Sequence, residues 1–461
     1  MLDKRALWIL LGILLLHVVL AATYATQTPY RTGGVVRINP SVEKDIGAPD
    51  ERQHANYIQH LNEGKGFPVF EPGSANLYET YQSHQPPAYY VLATGWAKVL
   101  GVTEVESRDS GLRLRALNVV IGACGVAGVF FLVFWGFGSI PAALAAASFA
   151  GLLPMNLALS GAISNDPLLL CLCTWILALA VLGLAHEFTW QLCLLIGGLL
   201  GLALLTKTTA VGLAAPLFVC LVYSVKAKTW PRLLAGGAIA LVLAGGWWAR
   251  NQQLYGDPLA MKAFSDAFTK SAQKSMFIEQ IIPMQAPGQN PEPIYWMNWV
   301  GWWTARSFFG TFGYMDIWLT QSGRQSADPD QNRLYYILIL SAVIGFGGWL
   351  YSLRDKEPRK NNLILVVFLA VVVALFVKFN QQYFQAQGRY LLPAIGPISA
   401  IIAVGYAKLA GKRTAAPLLG IAALLLVVNA FALTRMETQF NDRIQAAGTG
   451  SPAVTPQEPA N

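Results

Sequence analysis

Charge is scarce in this chain. Of 461 residues only 13% are Asp, Glu, Lys or Arg, where soluble proteins carry roughly 25%, and 54% are hydrophobic. That excludes an ordinary soluble enzyme and implies a polytopic membrane protein. Cysteine is scarce too. Cys124, Cys171, Cys173, Cys193 and Cys220 all fall in apolar segments. An odd number of cysteines placed there gives no disulfide framework, and Cys171-x-Cys173 lacks the partners of a zinc site. They read as small packing residues. HExxH, a Gly-Lys-Ser/Thr phosphate loop, a GxSxG elbow and a nucleotide-sugar-binding Rossmann unit are all missing. The net charge of +8 is no nucleic-acid signature, because the basic residues gather in loops between apolar runs.

What is present is a series of runs long and apolar enough to span a bilayer. They lie near 5–25, 114–136, 139–162, 167–186, 191–206, 209–225, 233–249, 334–352, 362–379, 390–409 and 415–434. The first could pass for a signal peptide. However, it runs to about 20 residues, beyond the usual apolar core of such a peptide, and Thr26-Gln27-Thr28 is a poor cleavage site. It reads as a retained span. Lys4-Arg5 then places the N-terminus in the cytoplasm. With these eleven spans, the basic connectors Lys226 to Arg232, Arg354 to Lys360 and Lys408 to Arg413 all fall on the cytoplasmic side, as the positive-inside rule requires.

Two other stretches are apolar enough to consider. Residues 85–101 are short and interrupted by Lys98, and counting them as a span would move every later connector outside. Residues 294–315 carry Trp296, Trp299, Trp302 and Trp303 at helical spacing beside Arg306, a pattern suited to the membrane interface. Both read as surface helices. Large external loops then run from about 26 to 113 and from about 250 to 333. Residues 1–434 form one transmembrane domain, and 435–461 read as a polar, disordered tail.

The first external loop holds the sequence PDERQHANYIQHLNEGKGFP. On a helix, Asp50, His54, Tyr57, Ile58 and Leu61 share one face. The plain reading is a helix start, with Asp50 as N-cap and Gln53 three residues on. The functional reading is a surface helix presenting a carboxylate to a lipid-borne substrate. The same topology puts Asp50, Glu51, His54, His84, Arg113, Arg115, Asp166, Lys207, Arg250, Arg306 and Arg389 at or just beyond the external ends of spans. For any single cation, snorkelling to the interface is explanation enough. Together they are the groups that chemistry on a phosphate lipid needs: cations for the phosphate, a carboxylate for a hydroxyl proton. Asp166, in Ser-Asn-Asp-Pro, doubles as a candidate N-cap before Pro167. With no nucleotide site, an enzyme of this kind would take a lipid-activated donor.

The order of features resembles the GT-C clan of membrane glycosyltransferases, which includes protein O-mannosyltransferases and aminoarabinose transferases of lipid A. The acidic motif of the clan's first loop looks like Asp50-Glu51, and its Pro-Pro-x-Tyr-Tyr element looks like His84-Gln85-Pro86-Pro87-Ala88-Tyr89-Tyr90. The arginine opening the second span is Arg113 or Arg115, and the second acid is Asp166. Within the clan the chain most resembles a bacterial family of polytopic membrane proteins. That likeness is carried by Ser307 to Gly313, Gln387 to Pro393 and the run from Trp247 to Pro258, with Phe309 where the family often has Trp.

The resemblance implies an all-α, GT-C-like fold of about eleven transmembrane helices, with juxtamembrane helices in the first external loop. It implies a transferase of the bacterial inner membrane with its active site on the periplasmic side. A sugar would pass from a polyprenyl phosphate to a lipid-linked glycan, a lipid or a protein. Asp50 would be the base, and Glu51 and Asp166 would orient it. A divalent metal, Mg or Mn, at Asp50 and Asp166 is left open, since some clan members use one and others do not. His54, His84, Arg113, Arg115, Lys207, Arg306, Arg389 and Tyr390 would bind substrate, with the tryptophans of 296–303 bordering the polyprenyl groove. The competing readings are a non-enzymatic carrier or flippase for a polyprenyl-linked glycan, and an assembly subunit.

Overall fold

The computed structural model describes residues 3–36, 44–225, 228–269, 271–320, 329–354, 359–413 and 415–448. The fold is helical, with one short antiparallel ladder pairing Thr311 with Trp318 and Phe312 with Ile317. Among the described residues, eight helices are long and apolar enough to cross a membrane: Lys4–Gln27, Arg108–Phe137, Asp166–Ala185, Trp230–Tyr255, Asn332–Ser352, Arg359–Gln382, Gly388–Arg413 and Leu419–Gly448. Ile140–Leu152 and Pro154–Ser160 form a further span bent by 63°. The break is at Leu153, whose extended backbone (ψ 117°) is the conformation a following proline imposes. Two shorter apolar helices are Trp190–Leu204 and Thr208–Ser224. Each apolar run read from the sequence coincides with one of these elements.

The first helix shows why the bundle holds. Asp3 caps it, accepting from the Ala6 amide at 2.6 Å. Only Ala6, Leu10, His17, Ala21, Tyr24 and Ala25 are buried, while Leu7, Trp8, Ile9, Leu11 and Leu15 face outward. Lipid tails are as apolar as leucine, so burial alone drives no helix pairing there and close backbone approach matters instead. Gly197 of Trp190–Leu204 lies against the backbone of Gly236 of Trp230–Tyr255, where any side chain would collide.

The stretch at 85–101 forms a helix of only 12 residues, Ala88–Val99. At 1.5 Å per residue it reaches about 18 Å, short of a hydrocarbon core of about 30 Å. Its Tyr89, Tyr90, Ala93 and Ala97 pack with Ala55, Tyr57 and Ile58 of the Glu51–Asn62 helix. Of the four tryptophans expected to border a lipid groove, Trp299 is buried and Trp296, Trp302 and Trp303 are partly buried. Trp299 is buried beside Phe277 and Phe384, and Trp303 packs on Trp318 and Phe384. The second loop folds back on itself and needs its own aromatic core.

Contacts sort the helix ends to two faces. At one, Arg115 reaches the Ala25 carbonyl, Arg250 the Pro68 carbonyl, Tyr295 the Asn380 carbonyl and Gly388 the Ser307 hydroxyl. At the other, Asn361 meets Gly136 and Arg232 meets Glu187. Lys226 and Asp355 to Pro358 of the basic connectors lie outside the described residues.

The expectation of a disordered tail after Arg435 fails through Gly448, because the last helix runs that far. Met436 and Phe440 are buried, and Arg443 pairs with Asp316 at 2.9 Å and reaches the Val35 carbonyl at 3.1 Å. Residues 449–461 lie outside the described residues.

Candidate active site

Asp50 precedes the Glu51–Asn62 helix with left-handed backbone (φ 62°, ψ −4°). A non-glycine residue held there costs on the order of 1–3 kcal/mol and persists only where the surroundings impose it. It occupies the N-cap position without capping: its side chain accepts no bond from the helix. Instead Oδ1 accepts from the Tyr81 hydroxyl at 2.6 Å and Oδ2 accepts from Arg389 Nη2 at 2.8 Å.

Arg389 is aimed by its neighbours. Its Nε donates to Gln387 Oε1 at 2.6 Å, and its guanidinium lies 5.2 Å from the centre of the Tyr390 ring. Gly388 rests on the backbone of Phe308 where a Cβ would collide, and its amide donates to Ser307 Oγ at 2.8 Å. The motifs Ser307 to Gly313 and Gln387 to Pro393 are therefore one structural unit, which sets the guanidinium against Asp50.

Asp166 opens the Asp166–Ala185 helix and pairs with Lys207 Nζ at 2.5 Å. The N-cap position belongs to Asn165, whose amide donates to the Thr206 carbonyl at 3.1 Å and to Gln85 Oε1 at 3.3 Å. One asparagine thus ties the turn of the acid to the turn of the lysine. Arg389 is within electrostatic reach of Asp166 as well as Asp50. The two ion pairs therefore make one cluster of two carboxylates and two cations.

Two histidines complete it. His54 is within electrostatic reach of Asp50, Asp166, Lys207 and Arg389, and its Nδ1 is 2.8 Å from the Tyr90 hydroxyl. His84 donates from Nδ1 to the Tyr81 carbonyl at 2.6 Å and accepts at Nε2 from the Gln85 amide at 3.0 Å. Phe70 and Phe264 cover it, with ring centres 5.4 and 4.8 Å away. Burial lowers both histidines to about 4, so both are neutral at pH 7. Burial acts to raise Asp50, but the Arg389 charge and the Tyr81 hydrogen bond outweigh it and hold the carboxyl at about 2. Burial, followed by the neighbouring Asp50, pushes the Tyr81 phenol well up. An open cleft of about 630 Å³, lined by Phe70, Glu71, Tyr255, Lys262 and Asp266 among others, lies beyond Phe70 rather than over the ion pairs.

Other residues singled out in the sequence lie elsewhere. Glu51 turns away from Asp50 into a buried pair with Arg115, at 2.7 and 2.8 Å, and accepts from the Ile163 amide at 2.9 Å. Arg115 also donates to the Ala25 and Thr28 carbonyls at 2.7 and 2.8 Å. Both side chains are fully buried, so they clamp four segments together and do not face the cluster. Arg113 is half-exposed, paired with Asp109 and the Leu100 carbonyl. Arg306 is buried among Trp302, Trp318 and Tyr335. Tyr390 does join the cluster, beside Arg389. Sequence reasoning missed Tyr81, Gln85, Asn165 and Tyr90 as parts of the site. Gln85 and Tyr90 stood inside a quoted motif, whereas Tyr81 stood in a polar stretch with no pattern.

A divalent ion at Asp50 and Asp166 does not fit this arrangement. Each carboxylate already carries a cation, and no group of three or more His, Cys, Asp or Glu among the described residues is placed to hold a metal.

Residues 84–248 match the family described as dolichyl-phosphate-mannose-protein mannosyltransferase. The match takes in His84, Asp166 and Lys207 but neither Asp50 nor Arg389. No curated protein matches the chain. Among solved structures, the chain is similar to the Archaeoglobus fulgidus oligosaccharyltransferase in complex with Zn and sulfate (TM-score 0.55, 14% identity, 92% of this chain and 53% of that one). It is also similar to the oligosaccharyltransferase AglB of the same organism in complex with an inhibitory peptide and a dolichol-phosphate (TM-score 0.53, 14% identity, 99% and 57%). The chain spans little more than half the length of these structures. At such identity the likeness concerns the fold alone: this is a multi-pass membrane protein with the GT-C fold of membrane glycosyltransferases.

Proposed function

We propose that this protein is a glycosyltransferase that moves a sugar from a polyprenyl phosphate to an acceptor hydroxyl at the external face of a bacterial inner membrane. The observation that carries the reading is the cluster of Asp50, Arg389, Asp166 and Lys207, assembled at one end of the bundle from four separate segments. Transfer from a phosphate-linked sugar creates charge on the departing phosphate, and positioned cations lower that cost. Arg389 and Lys207 are the cations present, and each is held in place by a carboxylate. Asp166 and Asp50 then stand where positive charge develops on the sugar. The match to a mannosyltransferase family over 84–248 and the fold shared with an oligosaccharyltransferase whose structure holds a dolichol-phosphate support a lipid-linked donor. The basic residues Arg232, Arg354, Lys360, Lys408, Lys412 and Arg413 lie toward the other end of the bundle, which supports an external site.

Native mass spectrometry of the protein with its co-purified lipids, wild type beside Asp50→Asn, tests this. A polyprenyl phosphate-sugar that accumulates only in the variant, with free polyprenyl phosphate on the wild type, is the expected result. Equal occupancy by a polyprenyl-linked glycan in both would favour the carrier, and bulk phospholipid alone in both would overturn the reading.

A further inference from the structure

The transfer reading leaves open which group receives the acceptor's proton, and the geometry distinguishes the candidates. Both oxygens of Asp50 are taken, one by Tyr81 and one by Arg389, and Asp166 Oδ1 is taken by Lys207. Both nitrogens of His84 are occupied. His54 is different. It lies in the first turn of the Glu51–Asn62 helix that Asp50 precedes and is 3% exposed. Its ring stacks on Tyr90 at 5.7 Å and meets Tyr89 edge-on at 6.3 Å, and Tyr90 is itself stacked on Tyr57 at 3.7 Å. Nδ1 is fixed by the Tyr90 hydroxyl, while Nε2 has no hydrogen-bond partner among the described residues.

Resting on the transfer reading, we propose that His54 is the base, with Nε2 taking the hydroxyl proton and Nδ1–H donating to the Tyr90 oxygen. The acceptor oxygen forms its bond to the anomeric carbon. The bond from that carbon to the phosphate oxygen breaks, and its electron pair leaves with the polyprenyl phosphate. The acceptor proton goes to Nε2 and then to the released phosphate monoester, whose second pKa is near ~6, or to water. Asp50 and Asp166 stabilise the imidazolium, while Lys207 and Arg389 oppose it; Tyr89 and Tyr90 face the ring as neutral phenols. A donor phosphate that adds to both cations, with Asp50 still held by Tyr81 and Arg389, offsets their opposition. Donor binding therefore makes His54 a stronger base at the moment a base is needed.

Histidine NMR of the ¹⁵N-labelled full chain in detergent, titrated over pH with and without farnesyl phosphate, tests this. The chain has five histidines, so His54 can be assigned by removing the other four singly. The expected result is a His54 midpoint near 4 that moves upward when farnesyl phosphate binds, and proton uptake on binding that His54→Gln loses and His186→Gln, at the far end of the Asp166–Ala185 helix, keeps. A His54 signal that ignores bound farnesyl phosphate, or uptake unchanged in His54→Gln, overturns the assignment and leaves the transferase reading standing. Failure of the wild type to bind farnesyl phosphate at all overturns both.

Discussion

Arg389 Nη2 stands 2.8 Å from Asp50 Oδ2, across 339 positions of sequence. One residue precedes the Glu51–Asn62 helix, and the other lies at the start of the Gly388–Arg413 span. Their meeting joins two polar residues of ordinary appearance, because each satisfies a charge that would be costly to bury alone.

The first prediction concerns pH. Asp50 titrates at about 2, below the ordinary carboxylate value, because Arg389 and Tyr81 outweigh its burial. A depressed carboxylate contributes stability above its unfolded pKa and loses it as pH falls through the folded one. In wild type that loss is expected between about pH 4 and 2. In Arg389→Gln, burial dominates and raises the carboxyl, so the acid-induced loss should shrink or reverse, because protonating a carboxyl raised above its unfolded value favours the folded state. Thermal unfolding in detergent across this range checks it, and superimposable curves would contradict the pairing.

Phosphate recognition gives the second. Arg389→Gln and Lys207→Gln should each weaken farnesyl phosphate binding by roughly 10- to 100-fold, the range for losing a charge-assisted hydrogen bond of about 1.5–3 kcal/mol. Arg113→Gln should leave binding unchanged, since Arg113 pairs with Asp109 away from the cluster. Isothermal titration or thermophoresis would separate the three.

The third contrasts neighbours. Glu51→Gln breaks a fully buried pair with Arg115 and should destabilise the fold by roughly 3–5 kcal/mol. Asp50→Asn should instead abolish transfer while the protein still inserts and folds. Replacing both partners, as Glu51→Leu with Arg115→Met, should recover part of the stability lost in Glu51→Gln. Expression level and thermal midpoint are the readouts. A Glu51→Gln variant as stable as wild type would remove the clamp.

The fourth tests how the guanidinium is placed. Gly388→Ala puts a methyl group against the Phe308 backbone, which cannot move aside as a side-chain end could. Arg389 should be displaced, and farnesyl phosphate binding should fall about as far as in Arg389→Gln. Unchanged binding would mean that the junction of the two motifs does not set Arg389.

Much of the candidate site was legible. Asp50, His54, His84, Asp166, Lys207 and Arg389 were all drawn to one face by counting spans and charges, and Tyr390 came from the resemblance; the cluster gathers all of them. That worked because crossing parity is fixed by hydrophobic length and loop charge, both local properties. Choosing among similar residues was beyond it. Asp50 and Glu51 are adjacent, yet one faces Arg389 and the other Arg115, since successive helical residues diverge by about 100° and Asp50 adopts a left-handed backbone. Arg113 and Arg115 flank one leucine, and neither reaches the cluster. Arg306 was grouped with the site cations, but its aromatic partners come from the same loop's own fold.

The sequence by itself determined that the chain is a helical membrane protein, how often its apolar runs recur, and which polar residues share an end of the bundle. Hydrophobic period and length settle these, and each needs only a local window. The tertiary structure alone decided which acid meets which cation, which oxygens are already occupied, and that the last helix, continuing to Gly448, brings Arg443 to Asp316. Those outcomes depend on partners tens to hundreds of residues apart, and no window of sequence contains both.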